Sequence, residues 1–166
     1  MKTFSERDFE LAREWAESQG FPKEEKFVKS DSVEIRLAYF VMPKSICPEL
    51  PNFVWQCAVE DDSKDIINGV YGVSEETPEE FRPYPILHEQ LELSLQGRIC
   101  PCLGALDYEL RAVPEELKRR YLPFRRDFFR DLVKYAEEHN YKPIDIAGFR
   151  ESFKHLDELC SLGGLE

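Results

Sequence analysis

Long apolar runs and positive charge are what this sequence has least of. No run of apolar residues approaches the roughly 18 that a membrane-spanning helix needs, so we expect no membrane protein. Lys and Arg number 22 against 33 Asp and Glu, which gives a formal net charge of -11. Because phosphate backbones and anionic membranes repel such a chain, we expect neither as its main partner. Basic proteins, cationic peptides and metal ions stay compatible with this charge.

The N-terminus lacks the apolar core of a secretory signal peptide, since residues 1–8 turn acidic at once. We therefore expect a cytoplasmic protein. The five cysteines are an odd number, which favours reduced thiols over a disulfide framework. Cys100 and Cys102 form a Cys-x-Cys pair with no Cys-x-x-Cys beside it. Two ordinary thiols at a helix start are expected there. The alternatives are a weak metal or redox site, modest reactivity of Cys102, and a cysteine nucleophile with His88 as its base, which the spacing does not specifically support.

Length and composition predict one packed domain. The chain has 166 residues, of which 42% are hydrophobic and 13% aromatic. These proportions are sufficient for an interior and too high for a disordered chain. No repeat, low-complexity segment or long linker divides the sequence, so we expect a single domain over residues 1–166.

The first half of the chain reads as one helix followed by strands. Ser5 can cap a helix that runs to about Gln19, and the next residues, 22–26, form a polar link. Residues 33–41, 53–59 and 66–73 have the alternation or β-branched content of three strands. The third contains Gly69 and Gly72, which suggest a bulge, an edge, or the close approach of another backbone.

The second half follows a helical period and is divided by prolines. The predicted helices run from near Pro85 to before Gly97, from Pro101 to Leu110 or Ala112, briefly from Pro114, from Pro123 to about His139, and from Pro143 onward. The sequence therefore predicts an α+β fold: an N-terminal helix, a small and mainly antiparallel three-stranded sheet, then about four helices on one face.

One segment of the first of these helices carries a chemical motif. Residues 88–92 read His-Glu-Gln-Leu-Glu, and residues four apart lie on one helix face, so His88 and Glu92 could bind the same metal ion. Glu89 has the position of a general base. Histidine is scarce, with three in the chain. The alternative is that His88 and Glu92 are a solvated or hydrogen-bonded pair without a metal.

A catalytic zinc ion needs a third protein ligand, which a neighbouring helix would have to supply. Glu109 is well placed in the following helix, because antiparallel packing of the two helices would return it toward His88. Asp107 is the alternative ligand on the same helix.

The segment from Phe81 to Leu95 resembles the active-site helix of minimal gluzincin-type metallopeptidases, including those that cleave phage repressors. In that family an arginine and an apolar run precede His-Glu-x-x-His, an edge strand comes before the helix, and a later helix supplies a glutamate. The similarity covers residues 66–116, with residues 66–73 as the edge strand. It implies a zincin-like fold and a zinc-activated water that attacks a peptide carbonyl, with Glu89 as base.

The motif departs from that family at Glu92, which replaces the second histidine. A second anionic ligand weakens the Lewis acidity of zinc and suits a harder divalent ion such as manganese better. We therefore expect a metal-binding, zincin-like domain that is not an active peptidase, with His88, Glu92 and Glu109 as ligands of zinc or another divalent metal. The alternative is an acidic, non-catalytic protein of the inhibitor or immunity type that binds a basic protein or peptide.

One basic concentration stands out, at residues 119–126, where Arg119, Arg120, Arg125 and Arg126 lie close together. It could bind an anion or pair with acidic helices. The excess of acidic residues favours pairing.

Overall fold

The computed structural model describes residues 6–60, 67–94 and 101–166. Its helices and strands are α1 (Glu6–Ser18), β1 (Lys23–Ser30), β2 (Val33–Met42), β3 (Val54–Glu60), β4 (Ile67–Ser74), α2 (Pro83–Ser94), α3 (Pro101–Ala112), α4 (Glu115–Glu138) and α5 (Pro143–Leu162). The predicted α+β order is therefore confirmed. Three predicted positions lie outside the described residues: the helix cap Ser5, the strand start Ile66 and the helix stop Gly97.

The sheet has four strands in the order β1-β2-β4-β3, and it is mixed. The predicted sheet was one strand short, because β1 was read as a polar link. Two of the three strand pairings are antiparallel, as predicted, and the sheet is mixed because β2 pairs with β4 in parallel. In β1 only Val28 is buried, so the strand shows little apolar alternation. Its charged side chains are typical of an edge strand, where pairing with β2 rather than burial sets the structure.

β4 lies inside the sheet, paired with β2 on one side and antiparallel with β3 on the other. The expectation that residues 66–73 form an edge strand was therefore wrong; β3 takes that place. The two glycines of β4 make room for side chains, not for another backbone. A Cβ at Gly72 would lie 2.5 Å from the sulfur of Met42, and one at Gly69 would strike the Tyr71 ring.

α2 begins at Pro83, two residues before the predicted start, since proline is tolerated in the first turn of a helix. It packs against β4 and α3. Its buried positions include Ile86, Leu87 and, unusually for a polar residue, His88. The packing of α2 between sheet and helices thus places the His-Glu motif at the edge of the core.

α4 is one continuous helix, so the predicted break at Pro123 was wrong. A proline inside a helix removes one backbone hydrogen bond, at a cost of about 3 kcal/mol. The residues on either side outweigh that cost, because Tyr121, Arg125 and Phe129 are almost fully buried. α3 keeps its predicted bounds, and α5 starts at the predicted Pro143. Among the described helices, none combines the length and apolar content that crossing a membrane requires.

Candidate functional site

His88 is a buried residue on α2 whose side chain is 2% exposed. Its Nε2 atom lies 3.1 Å from Oε2 of Glu92, one helical turn further on. The Sγ atom of Cys102, in the first turn of α3, lies 3.7 Å from the same nitrogen. The hydroxyl of Ser152 on α5 contacts that sulfur at 3.1 Å. Three helices therefore converge on one imidazole nitrogen and one thiol.

The other ring nitrogen of His88 faces Glu109. Nδ1 lies 3.0 Å from Oε1 of Glu109, but the alignment is too poor for a hydrogen bond. The Glu109 carboxylate is fully buried and is held by α4. Tyr121 donates to it at 2.6 Å, and Arg125 donates from Nε and Nη2, each at 2.9 Å. Tyr121 and Arg125 thus hold Glu109 in place independently of His88.

This buried network sets the charges around His88. Burial alone would raise the pKa of Glu109, but the Arg125 guanidinium and His88 outweigh it and lower that pKa. Burial would likewise lower the pKa of His88, whereas its contacts with Cys102, Glu109 and Glu92 hold that pKa well above its usual range. Without a metal, a protonated imidazole is therefore the favoured partner of two carboxylates.

Three side chains form a group that could hold a metal ion, namely His88, Glu92 and Cys102. Their ligand atoms all lie within 4.8 Å of one another. Atoms bound to a tetrahedral zinc ion at about 2.0–2.3 Å lie roughly 3.3–3.7 Å apart. The distances of 3.1 Å and 3.7 Å from His88 Nε2 to Glu92 and Cys102 are close to that spacing.

The structure brings the predicted site residues together with one change in arrangement. His88 and Glu92 share a face of α2, as the motif predicts. Glu109 approaches His88 from Nδ1, the side away from Glu92, and does not belong to the metal-compatible group. The alternative ligand Asp107 is exposed and pairs with Arg111 at 3.1 Å.

Cys102 is the member of the group that sequence reasoning did not select as a ligand. The available signal was its Cys-x-Cys pair at the start of a helix, one helix after the motif. That pair does not predict which side chain the thiol contacts, because the contact depends on how α2 and α3 pack. The other half of the pair, Cys100, lies outside the described residues.

The three side chains line a pocket of about 490 Å³, within the range of small-molecule sites. Glu89 lines it too, as the motif position of a base requires. Burial raises the pKa of Glu89 to about 7, and the neighbouring Glu92 adds to this effect. Much of the remaining wall is aromatic and comes from β3 and α4, for example Trp55 and Phe129.

The arginines of residues 119–126 are used largely in pairs. Arg120 contacts Glu80 at 2.7 Å, Arg125 is held by Glu109, and Arg126 contacts Asp127 at 3.0 Å. Pairing, rather than a free basic surface, describes these three residues.

Comparison of the chain with family models, with curated proteins and with solved structures gives no match. The resemblance to minimal gluzincins therefore stays a prediction that rests on the residues around His88.

Proposed function

We propose that the protein binds one zinc ion through His88 Nε2, Glu92 and Cys102 Sγ, at the buried end of a small-molecule pocket. The observation that carries this proposal is the convergence of three ligand atoms from α2 and α3 within 4.8 Å of one another, with 3.1 Å and 3.7 Å from His88 Nε2 to Glu92 and Cys102. Three protein ligands leave one position for water or a ligand. Zinc is favoured over harder ions because a thiolate joins the imidazole.

In this arrangement Glu109 has a supporting role in place of the ligand role that the sequence suggested. Histidines that bind metals commonly pass their second ring N–H to a carboxylate, which fixes the ring and raises its basicity. Glu109 lies on that side of His88, and Arg125 and Tyr121 hold it there. The proposal therefore assigns Glu109 to the orientation of His88.

We expect the zinc-loaded protein to lack peptidase activity. A bound zinc ion supplies activation of water, and Glu89 lies in the pocket where a base would be. However, the two anionic ligands Glu92 and Cys102 neutralise the charge of the ion. Such a ligand set weakens the polarisation of a carbonyl and raises the pKa of bound water.

Cobalt substitution tests the ligand set. Metal-free protein is titrated with Co²⁺, and we expect one equivalent to produce a thiolate-to-metal charge-transfer band with tetrahedral d–d bands. Cys102→Ser should abolish the charge-transfer band, and Glu92→Gln should weaken binding of Co²⁺ and Zn²⁺ at least about tenfold. Cys160→Ser is the matched control, since Cys160 is also a buried thiol but does not line the pocket.

Glu109→Gln separates the two possible roles of that residue. A supporting role predicts that the charge-transfer band stays while affinity falls. The proposal fails if folded wild-type protein binds neither ion, or if Cys102→Ser leaves the cobalt spectrum unchanged.

A second candidate function follows from the same contacts, which the sequence spacing did not indicate. Cys102 Sγ, His88 and Glu109 stand in the order nucleophile, base and orienting acid, with separations of 3.7 Å and 3.0 Å. Cys102 lies in the first turn of α3, next to the helix that carries His88. This geometry supports a thiol-dependent acyl transfer.

Glu92 distinguishes the two candidates, because only metal binding requires it. A nucleophilic Cys102 should be alkylated by iodoacetamide faster than Cys160 in metal-free protein. Glu92→Gln should leave that rate high, since Glu109 still orients His88. Equal alkylation rates for Cys102 and Cys160 would eliminate the thiol mechanism and leave the metal proposal intact.

A further inference from the structure

Three aromatic side chains in the C-terminal part of the chain line the same pocket as His88. They are Tyr135 near the end of α4, Tyr141 in the following loop, and Phe149 on α5. Tyr141 is 42% exposed, so the pocket is open to solvent there. The Tyr135 and Tyr141 rings lie 6.1 Å apart at 76°, and the Tyr141 and Phe149 rings 6.4 Å apart at 58°. These steep angles place the three rings around a corner rather than in one stack. One face of the Tyr135 ring is covered by His139, whose ring centroid lies 4.0 Å away at 22°.

A carboxylate belongs to the same corner. Asp145, in the first turn of α5, lines the pocket between the loop of Tyr141 and the turn of Phe149. Burial raises the pKa of Tyr141, and the negative charge of Asp145 adds to this effect. The corner thus combines electron-rich ring faces with a negative charge.

The pocket as a whole also favours positive charge. Glu89, Glu92 and Asp145 line it. Of the two lining cations, His88 is paired with Glu92 at 3.1 Å, and Arg125 is held by two hydrogen bonds from Nε and Nη2 to Glu109. The chain around it carries a formal net charge of -11. A cationic ligand is therefore attracted toward the pocket from a distance and matched within it.

We propose that this corner, formed by Tyr135, Tyr141, Phe149 and Asp145, binds the ammonium group of a small organic cation. Ring faces attract an ammonium group through their quadrupole, and arrays of such rings recognise quaternary amines. The pocket volume suits a small molecule rather than a folded partner. The inference deepens the proposed function, because it names the ligand class of the same pocket.

Choline is a suitable probe, and its neutral isostere with a tert-butyl group in place of trimethylammonium is the comparison. Both are titrated into the full chain and followed by calorimetry and by the aromatic NMR resonances. We expect choline to bind at least about tenfold more tightly than the isostere. The resonances of Tyr135, Tyr141 and Phe149 should shift.

Paired variants separate charge and ring from shape. Tyr141→Leu and Asp145→Asn should each weaken choline binding severalfold. Tyr141→Phe keeps the ring and should bind as wild type, and so should Asp157→Asn, which removes an exposed acid from α5 outside the pocket. Thermal melts of all four variants check folding.

The proposal is overturned if choline does not bind, if the isostere binds equally well, or if folded Tyr141→Leu binds as wild type. The same titration on metal-free Glu92→Gln protein separates it from the zinc proposal. Choline binding that persists there supports the ammonium site even if no metal binds. Zinc binding without choline binding rejects the ammonium site alone.

Discussion

At the residue scale, Glu109 is the group on which most of the buried chemistry depends. It is fully buried and receives hydrogen bonds from Tyr121 and Arg125 while facing Nδ1 of His88. Removing one partner of a buried ion pair is far more costly than removing an exposed one, because the remaining charge stays desolvated. Here that remaining charge would be Arg125, which is 1% exposed.

We expect Glu109→Gln to lower the free energy of unfolding by about 3–5 kcal/mol, measured by urea denaturation of metal-free protein. Asp107→Asn is the matched control on the same helix, since its pair with Arg111 is exposed. It should cost no more than about 1 kcal/mol. Equal effects of the two substitutions would show that the Glu109–Arg125 pair is not a principal contact of the core.

His88 provides a pH prediction at the same scale. Its pKa in the folded, metal-free protein is raised well above the ordinary value of 6.5: burial opposes the shift, and contacts with Cys102, Glu109 and Glu92 produce it. A raised pKa stabilises the fold fully below the unfolded value, and that stabilisation is lost as pH rises through the folded value. Urea midpoints of wild type should therefore fall with rising pH relative to His88→Gln.

Zinc should reverse that trend. The metal binds the deprotonated imidazole and thiolate, so the stabilisation that it adds grows as pH rises.

Two outcomes would contradict these predictions. Parallel pH profiles of the urea midpoint for wild type and His88→Gln, each measured with a chelator present, would contradict the raised pKa of His88. A zinc effect that does not vary with pH would contradict the ligand set.

At the scale of elements, α4 shows how tertiary packing overrides a local signal. Pro123 predicts a helix start, yet the helix runs through it because buried residues on both sides pack together. The missed strand β1 has the same cause, since its charged residues pair with β2 without forming an apolar face. The partner of β1 is the next strand, β2, whereas Tyr121 and Arg125 of α4 are held by Glu109 of α3.

Pro123→Ala should raise the free energy of unfolding by up to about 3 kcal/mol, because it restores an amide donor to the middle of α4. Pro143→Ala, at the first residue of α5, should change it little, since that position needs no donor. Thermal and urea denaturation of both variants measure this difference. A destabilised Pro123→Ala would mean that the proline ring itself packs favourably.

The site was predictable to the extent that it lies on one helix. The spacing of His88 and Glu92 follows from the helical period alone, and Glu109 was found because it lies on the next helix. Two contacts of His88 were not predictable: Glu109 faces Nδ1, and Cys102 contacts Nε2. Both depend on how α2 packs against α3. Sequence spacing does not contain that rotation about the helix axis.

At the scale of the whole molecule, the formal net charge of -11 should act against the compact state. We expect the urea midpoint to rise when sodium chloride is increased from about 0.01 M to about 0.15 M, since salt screens exposed charges. The buried Arg125–Glu109 pair is less sensitive to screening. A midpoint that falls with salt would show that the exposed ion pairs stabilise more than the excess charge destabilises.

The net charge of -11 also suits the alternative prediction, an acidic, non-catalytic protein that binds a basic protein or peptide. If this prediction holds, immobilised wild-type protein should retain a defined basic protein in moderate salt. Immobilised metal-free Glu92→Gln protein should retain the same amount of it. Retention that depends on Glu92 would assign the partner to the pocket instead.

The contact between α1 and β3 makes tryptophan fluorescence a probe of this protein. The chain has two tryptophans, and the Trp15 and Trp55 rings lie 5.7 Å apart. Trp55 also lines the pocket. The intrinsic fluorescence of the whole chain therefore originates at one place on the pocket wall. Ligand entry and detachment of α1 should both be visible in its emission spectrum without an added label.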